Sequence, residues 1–247
     1  MGGTGLLAAF TIIDAHTVFG FWPFRRADLS LETLVNVLRQ HQVTRALTIS
    51  TTGIFNDYQR GNEETVAVCQ QTPELFPTAT IDPRRYLGCR EEIDRRIGQG
   101  LKLFRVFPEY QDWPLEYAPF LRLLQHLAER GAVLMISAAE RGVATCLARL
   151  TEGLPLKVIL TAVRADNLGE LLVVLEERPH WCVETRWLNS PGALTTLAAA
   201  VGAERLIFGS ATPLYYFSSA YLPVLAADLT EEQKALILGE NLRRLLS

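Results

Sequence analysis

The chain is poor in the side chains that bind metals or build disulfides. It has four histidines and four cysteines in 247 residues. Cys69, Cys89, Cys146 and Cys182 are scattered, with no C-x-x-C pair, and read as reduced thiols of a cytoplasmic protein. No apolar run approaches the roughly 18 residues that span a bilayer. Neither charge sign dominates: 24 basic against 27 acidic residues leave a net charge of −3. That balance gives no electrostatic footprint for nucleic acid or an anionic membrane. The opening Met1–Gly5 has no basic residue ahead of its short apolar stretch, which argues against a signal peptide. A glycine-rich phosphate loop after a strand is missing too, since Gly2-Gly3-Thr4-Gly5 precedes the first strand instead. Its lack counts against a doubly wound nucleotide-binding sheet. With no linker or low-complexity tract, residues 1–247 read as one domain.

What is present is a regular alternation. Apolar strand patches fall at 11–16, 46–50, 78–81, 101–107, 132–136, 156–160, 181–185 and 205–208. Helical patterns separate them: Ser30 caps one, Leu121, Leu124 and Leu127 share a face in another, and Asn167 with Glu170 resembles a capping pair. Thr230-Glu231-Glu232-Gln233 is a capping box for one further helix. Continuous apolar strands alternating with helices predict a parallel sheet covered on its outer face. Eight such units in a chain close to the usual ~250 residues predict a single (β/α)8 TIM barrel with an extra C-terminal helix.

Functional groups in such a barrel lie at the C-terminal strand ends. Ile12-Ile13-Asp14-Ala15-His16 ends the first strand; Asp14, His16 and Val18 are spaced two apart, which predicts one shared side. Later strand ends offer Arg84, Arg105, Ser137, Arg141, Thr161, Arg164, Glu184, Arg186 and Ser210. The arginines allow two readings: a cationic bowl for a carboxylate or phosphate, or pairing with Asp14, Asp82, Glu140 and Glu184. Aromatics crowd the same loops. Gly20-Phe21-Trp22-Pro23-Phe24 and Pro213-Leu214-Tyr215-Tyr216-Phe217 follow strands that adjoin in a closed barrel, so they should meet. They would roof a pocket, with Trp22 and Tyr215 on the substrate, or form a homo-oligomer contact.

Four motifs carry a family resemblance, one of them the fourth strand, Gly100-Leu101-Lys102-Leu103-Phe104-Arg105. Residues 12–20 resemble the I-D-x-H-x-H first strand of the amidohydrolase-related family of metal-dependent hydrolases. Glu204-Arg205-Leu206-Ile207-Phe208-Gly209-Ser210 resembles its eighth-strand motif, and Ile237–Leu246 its terminal helix with a central Asn241. The resemblance implies a TIM barrel, hydrolase activity and a divalent metal. His16 fits the family's first histidine ligand. Val18, Ser137, Thr161 or Ala162, and Ala211 stand where its other ligands and its general base would be.

A count of donors bears on the metal independently. Catalytic zinc-type sites use about three protein ligands. His41 and His126 fall in helices and His180 precedes a strand, so one histidine is left at the mouth. The expectation is no cofactor, the alternative being a single divalent metal such as zinc on His16, Asp14 and Glu184. The expected activity is metal-independent, lactonase-like hydrolysis of a small carboxylated molecule. His16 and Asp14 would be catalytic, and Arg105, Ser137, Arg141, Thr161, Arg164, Glu184, Arg186, Ser210, Trp22 and Tyr215 would bind substrate. The alternative is a non-catalytic binding or assembly barrel, in which His16 is a hydrogen-bonded structural residue.

Overall fold

The computed structural model describes residues 10–247, so the reading of the first nine residues lies outside them. The strands are β1 (Ile13–Phe19), β2 (Arg45–Ser50), β3 (Leu75–Pro77), β4 (Ala79–Thr80), β5 (Leu103–Arg105), β6 (Val133–Ser137), β7 (Lys157–Thr161), β8 (Trp181–Glu184) and β9 (Leu206–Ile207). All neighbours pair in parallel. β3 and β4 are two halves of one barrel strand. Pro77 has no N–H to donate to a ladder, and the strand resumes after Thr78, whose N–H reaches Thr48 O at 2.9 Å. The ring closes between β1 and the continuation of β9, through Ala15 N to Phe208 O at 3.0 Å and Val18 N to Thr212 O at 3.1 Å. This is an eight-stranded (β/α)8 barrel.

The helices between strands are α1 (Leu31–Gln40), α2 (Thr51–Phe55), α3 (Tyr58–Gln71), α4 (Cys89–Gly98), α5 (Pro108–Gln111), α6 (Ala118–Glu129), α7 (Val143–Leu150), α8 (Leu168–Glu177), α9 (Ala193–Val201) and α10 (Phe217–Ala226). Ser30 caps α1 by accepting from Thr33 N. Asn167 makes no side-chain cap at α8, which corrects the Asn167–Glu170 expectation. Glu170 reaches sideways instead and accepts from Gly142 N and Thr145 N, both at 2.8 Å, capping the start of α7. A carboxylate there satisfies amides that α7 leaves without partners.

Ile13, Ala15, Leu47, Leu103, Val133, Met135, Ile159, Cys182 and Ile207 fill the lower barrel interior. The extra C-terminal helix packs beneath it. α11 (Glu231–Ala235), opened by the Thr230 capping box, runs through a π-helical turn into α12 (Asn241–Leu246). Leu242 packs against the interior set, and Asn241 Nδ2 donates to Ala203 O and Leu206 O, both at 2.8 Å. Gly239 permits that approach, since a Cβ there would stand 2.5 Å from Thr11 O. α12 thereby covers part of the N-terminal end, where a cleft of about 480 Å³ remains between it and β2, β3 and β5, and Lys102 is held there on the Ser247 carbonyl, remote from the mouth. No helix among the described residues is long and apolar enough to cross a membrane.

Candidate active site

β1 does not keep the simple alternation its spacing predicts. Its register on β2 jumps between Asp14 and Thr17, a bulge at the strand's functional end. Asp14 and His16 therefore part company. Ile13 and Ala15 lie in the interior, and Asp14 between them turns to the other side of the strand. There Asp14 Oδ1 accepts from His16 N at 2.9 Å and Ser210 N at 3.0 Å, while Oδ2 accepts from Ser210 Oγ at 2.5 Å. Burial raises its pKa to about 7, against those three donors. Asp14 and Ser210 thus satisfy each other across the β1–β9 seam, and neither lines the mouth cavity. Val18 leaves the line as well, packing with Trp22, Ile49, Ile54, Phe107 and Leu214.

The mouth holds a cavity of about 520 Å³. His16, Arg105, Ser137, Thr161, Arg164, Arg186, Trp22 and Tyr215 line it, so six residues expected from strand ends and two from the aromatic loops converge. Ser137 and Thr161 are register partners across β6 and β7, which sets their hydroxyls side by side. Arg141 does not join them; it is 76% exposed and pairs with Asp166 at 3.5 Å. Arg84 likewise turns away onto Asp82, at 2.8 Å. Glu109, Tyr110 and Trp187 line the cavity without having been singled out as binding residues. Glu109 and Tyr110 sit on α5, a single turn behind β5, too short to imprint a period on the sequence.

Beneath the cavity lies a charged cluster. Glu184 is fully buried, with its Oε1 3.5 Å from both His16 Nδ1 and Arg186 Nε. Neither Glu184 oxygen, nor His16 Nδ1, nor Arg186 Nε, nor Thr185 Oγ1 has a hydrogen-bond partner among the described residues. Desolvation opposes ionised Glu184, but the Arg186 charge, the adjacent His16 imidazole and the Arg105 charge outweigh it and hold its pKa at about 2. His16 is pushed down to about 3, first by burial and then by the Arg105 charge, so it is a neutral imidazole at pH 7. Burial and the repulsion of Arg186 lower Arg105 to about 10. Rings support both cations: Arg105 lies 4.6 Å from the Phe107 centroid, and Arg186 lies 5.2 and 5.0 Å from those of Trp187 and Tyr215. The loops of β1 and β9 do meet, through Arg25 over Tyr215 at 4.5 Å and Arg25 to Leu214 O at 3.2 Å. Gly209 is needed beside this cluster, because a Cβ there would come within 2.8 Å of Glu184.

The donor set does not fit a catalytic divalent metal. Among the described residues no three His, Cys, Asp or Glu side chains gather in a way that could hold one. The trio of His16, Asp14 and Glu184 is broken up by the Asp14–Ser210 pairing. His16 and Glu184 stay adjacent, but the next groups inward are two guanidinium ions, which repel a cation and attract an anion.

Three of the many solved structures that share the architecture illustrate the likeness. One, described as a candidate 2-pyrone-4,6-dicarboxylic acid hydrolase from Pseudomonas putida, is 22% identical, with TM-score 0.74 and coverage of 96% of this chain and 97% of that one. A second candidate 2-pyrone-4,6-dicarboxylic acid hydrolase, from Acinetobacter baumannii with citric acid bound, is 14% identical, with TM-score 0.73 and coverage of 96% and 99%. The 5-carboxyvanillate decarboxylase of Novosphingobium aromaticivorans, complexed with manganese and 4-hydroxy-3-methoxy-5-nitrobenzoic acid, is 14% identical, with TM-score 0.75 and coverage of 98% and 97%. At these identities the likeness establishes the TIM-barrel fold. No curated protein matches the sequence. The family model described as Amidohydrolase matches residues 13–247, nearly the whole chain. By that match, and by the barrel that carries it, this chain belongs to the amidohydrolase family.

Proposed function

We propose that the protein is a metal-independent hydrolase of small carboxylated esters or lactones. One observation carries this reading: Arg105 and Arg186, both buried, stand beside a neutral His16 at the bottom of a cavity with aromatic walls. A substrate carboxylate would take the two guanidinium groups, whose fork geometry suits it. Its charge would offset theirs, and His16 would become more basic as the substrate binds. His16 would then accept the proton of the attacking water, and Ser137 with Thr161 would orient the substrate. Rings such as Trp22 and Tyr215 suit a flat molecule. The names of the two candidate hydrolases among the neighbours, which specify a dicarboxylated pyrone, support the same class.

The test is turnover of 2-pyrone-4,6-dicarboxylate, followed by the loss of its absorbance, with elemental analysis of the same preparation. Expected are hydrolysis that survives chelator, far less than one metal per chain, and a loss of roughly 100-fold or more in His16→Ala with the fold retained. Activity that needs a stoichiometric metal overturns the reading. Carboxylates that bind but are never turned over would make the barrel a binding module.

The same rim supports self-association. Phe21, Phe24 and Tyr216 are 74%, 72% and 88% exposed around the mouth, and isolated monomers seldom show water such a group. We take the aromatic loops as a homo-oligomer contact in a cytoplasmic protein. Light scattering should give at least a dimer that Phe24→Ser weakens; a monomer at micromolar concentration removes the idea.

A further inference from the structure

The proposed hydrolysis needs a proton for the departing oxygen, and the eighth-strand end, which finishes in Ala211, has no carboxyl to give it. We propose that Glu109 is the catalytic acid of this site. The inference rests on the hydrolase reading above.

Geometry singles Glu109 out. Two acids, Glu109 and Glu140, line the cavity, and Glu109 rides on the turn directly behind β5, beside Arg105 and Trp113. Its carboxylate is close enough to feel the charges of Arg105 and Arg186, and it accepts from its own backbone N–H. Glu140 stands on the neighbouring loop, between β6 and α7, and is not among the main charges acting on Arg105, whereas Glu109 is. Tyr110 is committed to packing, with its ring 5.1 Å from Trp22 and 6.0 Å from Phe24. Protein atoms crowding Glu109 raise its pKa above the ordinary carboxylate value, although Arg105 and Arg186 oppose the rise. Its surface still meets water in the open cavity, so a bound molecule would complete its desolvation. An anion seated on Arg105 and Arg186 would also cancel the charges that now favour ionised Glu109. Substrate binding thereby loads the acid with its proton. Of the other titratable or charged groups on the cavity, Arg164 is a further cation, Tyr215 lies against Arg186, and His16 is neutral.

The step balances. The water oxygen bonds to the carbonyl carbon and His16 takes the water's proton. The carbon–oxygen bond to the leaving group breaks, its electron pair stays on the departing oxygen, and the Glu109 proton goes there. The proton on His16 then returns to Glu109 through solvent.

Two ester probes test the role, phenyl hemisuccinate and 4-nitrophenyl hemisuccinate. The first has a leaving group that needs a proton, and the second has one that leaves as the anion. Glu109→Gln should lower kcat for the phenyl ester roughly 100-fold with little change in KM, and leave the 4-nitrophenyl ester within about threefold. Equal losses on both esters, or no loss on either, overturn the proposal. Calorimetry of phthalate binding in two buffers of different ionisation heat reads the proton directly. Wild type should take up a proton near pH 6 and Glu109→Gln should not; the same uptake in both, or none in wild type, overturns it. Proton uptake assigned to Glu109 in an enzyme that hydrolyses neither ester would mean the hydrolase reading has failed, and the catalytic role with it.

Discussion

Glu184→Gln should lower the protein's stability by about 3 kcal/mol at pH 7, a fall in melting temperature of roughly 6–12 °C for a chain of this size. The carboxylate is fully buried and held at about 2 by Arg186, His16 and Arg105. Gln keeps its shape and removes its charge. Arg105 and Arg186 then face each other without an anion, and unpaired buried charges are costly. The pH dependence has a definite sign. A carboxyl whose folded pKa lies below its unfolded value of 4.5 contributes fully above 4.5 and loses the contribution as pH falls through about 2. The gap between wild type and variant should therefore be constant from pH 7 to 5 and close between about 4.5 and 2. Urea unfolding of both proteins across that range checks it. A variant as stable as wild type at pH 7 would show that solvent, not Glu184, compensates the arginines.

Arg105→Met should act in the opposite direction on stability and cost function. Burial and Arg186 hold Arg105 at about 10, below its usual 12.5, so the folded protein carries its charge at a disadvantage. That disadvantage is present at neutral pH and fades only between about pH 10 and 12.5. An apolar side chain of similar length keeps the packing on Phe107 and removes the repulsion. The lowered pKa already includes the attraction of Glu184, and Arg186 remains on that carboxylate, so removing the charge should stabilise by about 1–3 kcal/mol. Affinity for phthalate should fall roughly 10- to 150-fold, as a charge-assisted hydrogen bond worth about 1.5–3 kcal/mol is lost. Thermal melts and calorimetry read the two effects separately. A destabilised variant would mean that Arg105 is a structural partner of Glu184, and unchanged phthalate affinity would remove it from the anion site. A stable variant that binds poorly is the signature of a site whose empty state is strained by its own charges.

How far the residues alone lead depends on the range of the interaction involved. Ser30 and Thr230 announce their helices because a cap is satisfied within three residues. Asn241 could be matched by motif, but its reason, two carbonyls near β9, lies 35 and 38 residues away. Asp14 is the instructive departure. Its spacing from His16 puts both on one side of an ideal strand, and the bulge before Thr17 separates them. A bulge answers to the pairing of β1 with β2 and leaves no mark in composition. Ser210, 196 residues downstream, then turns Asp14 from a candidate catalyst into part of the seam that closes the barrel. Arg84, Arg105, Arg141, Arg164 and Arg186 look equivalent in sequence, since each follows a strand. Local acids take Arg84 and Arg141, while the cavity takes Arg105, Arg164 and Arg186.

The sequence by itself determined the barrel, the strand ends that face its mouth and the extra C-terminal helix. Hydrophobic period, strand–helix order and residue counts are properties of the chain that survive any detail of packing. The tertiary structure alone decided which strand-end groups share a cavity, why Glu184 stays charged under two arginines, and where Glu109 stands. Those outcomes depend on Coulomb and desolvation terms that change steeply over a few ångströms, between residues far apart along the chain.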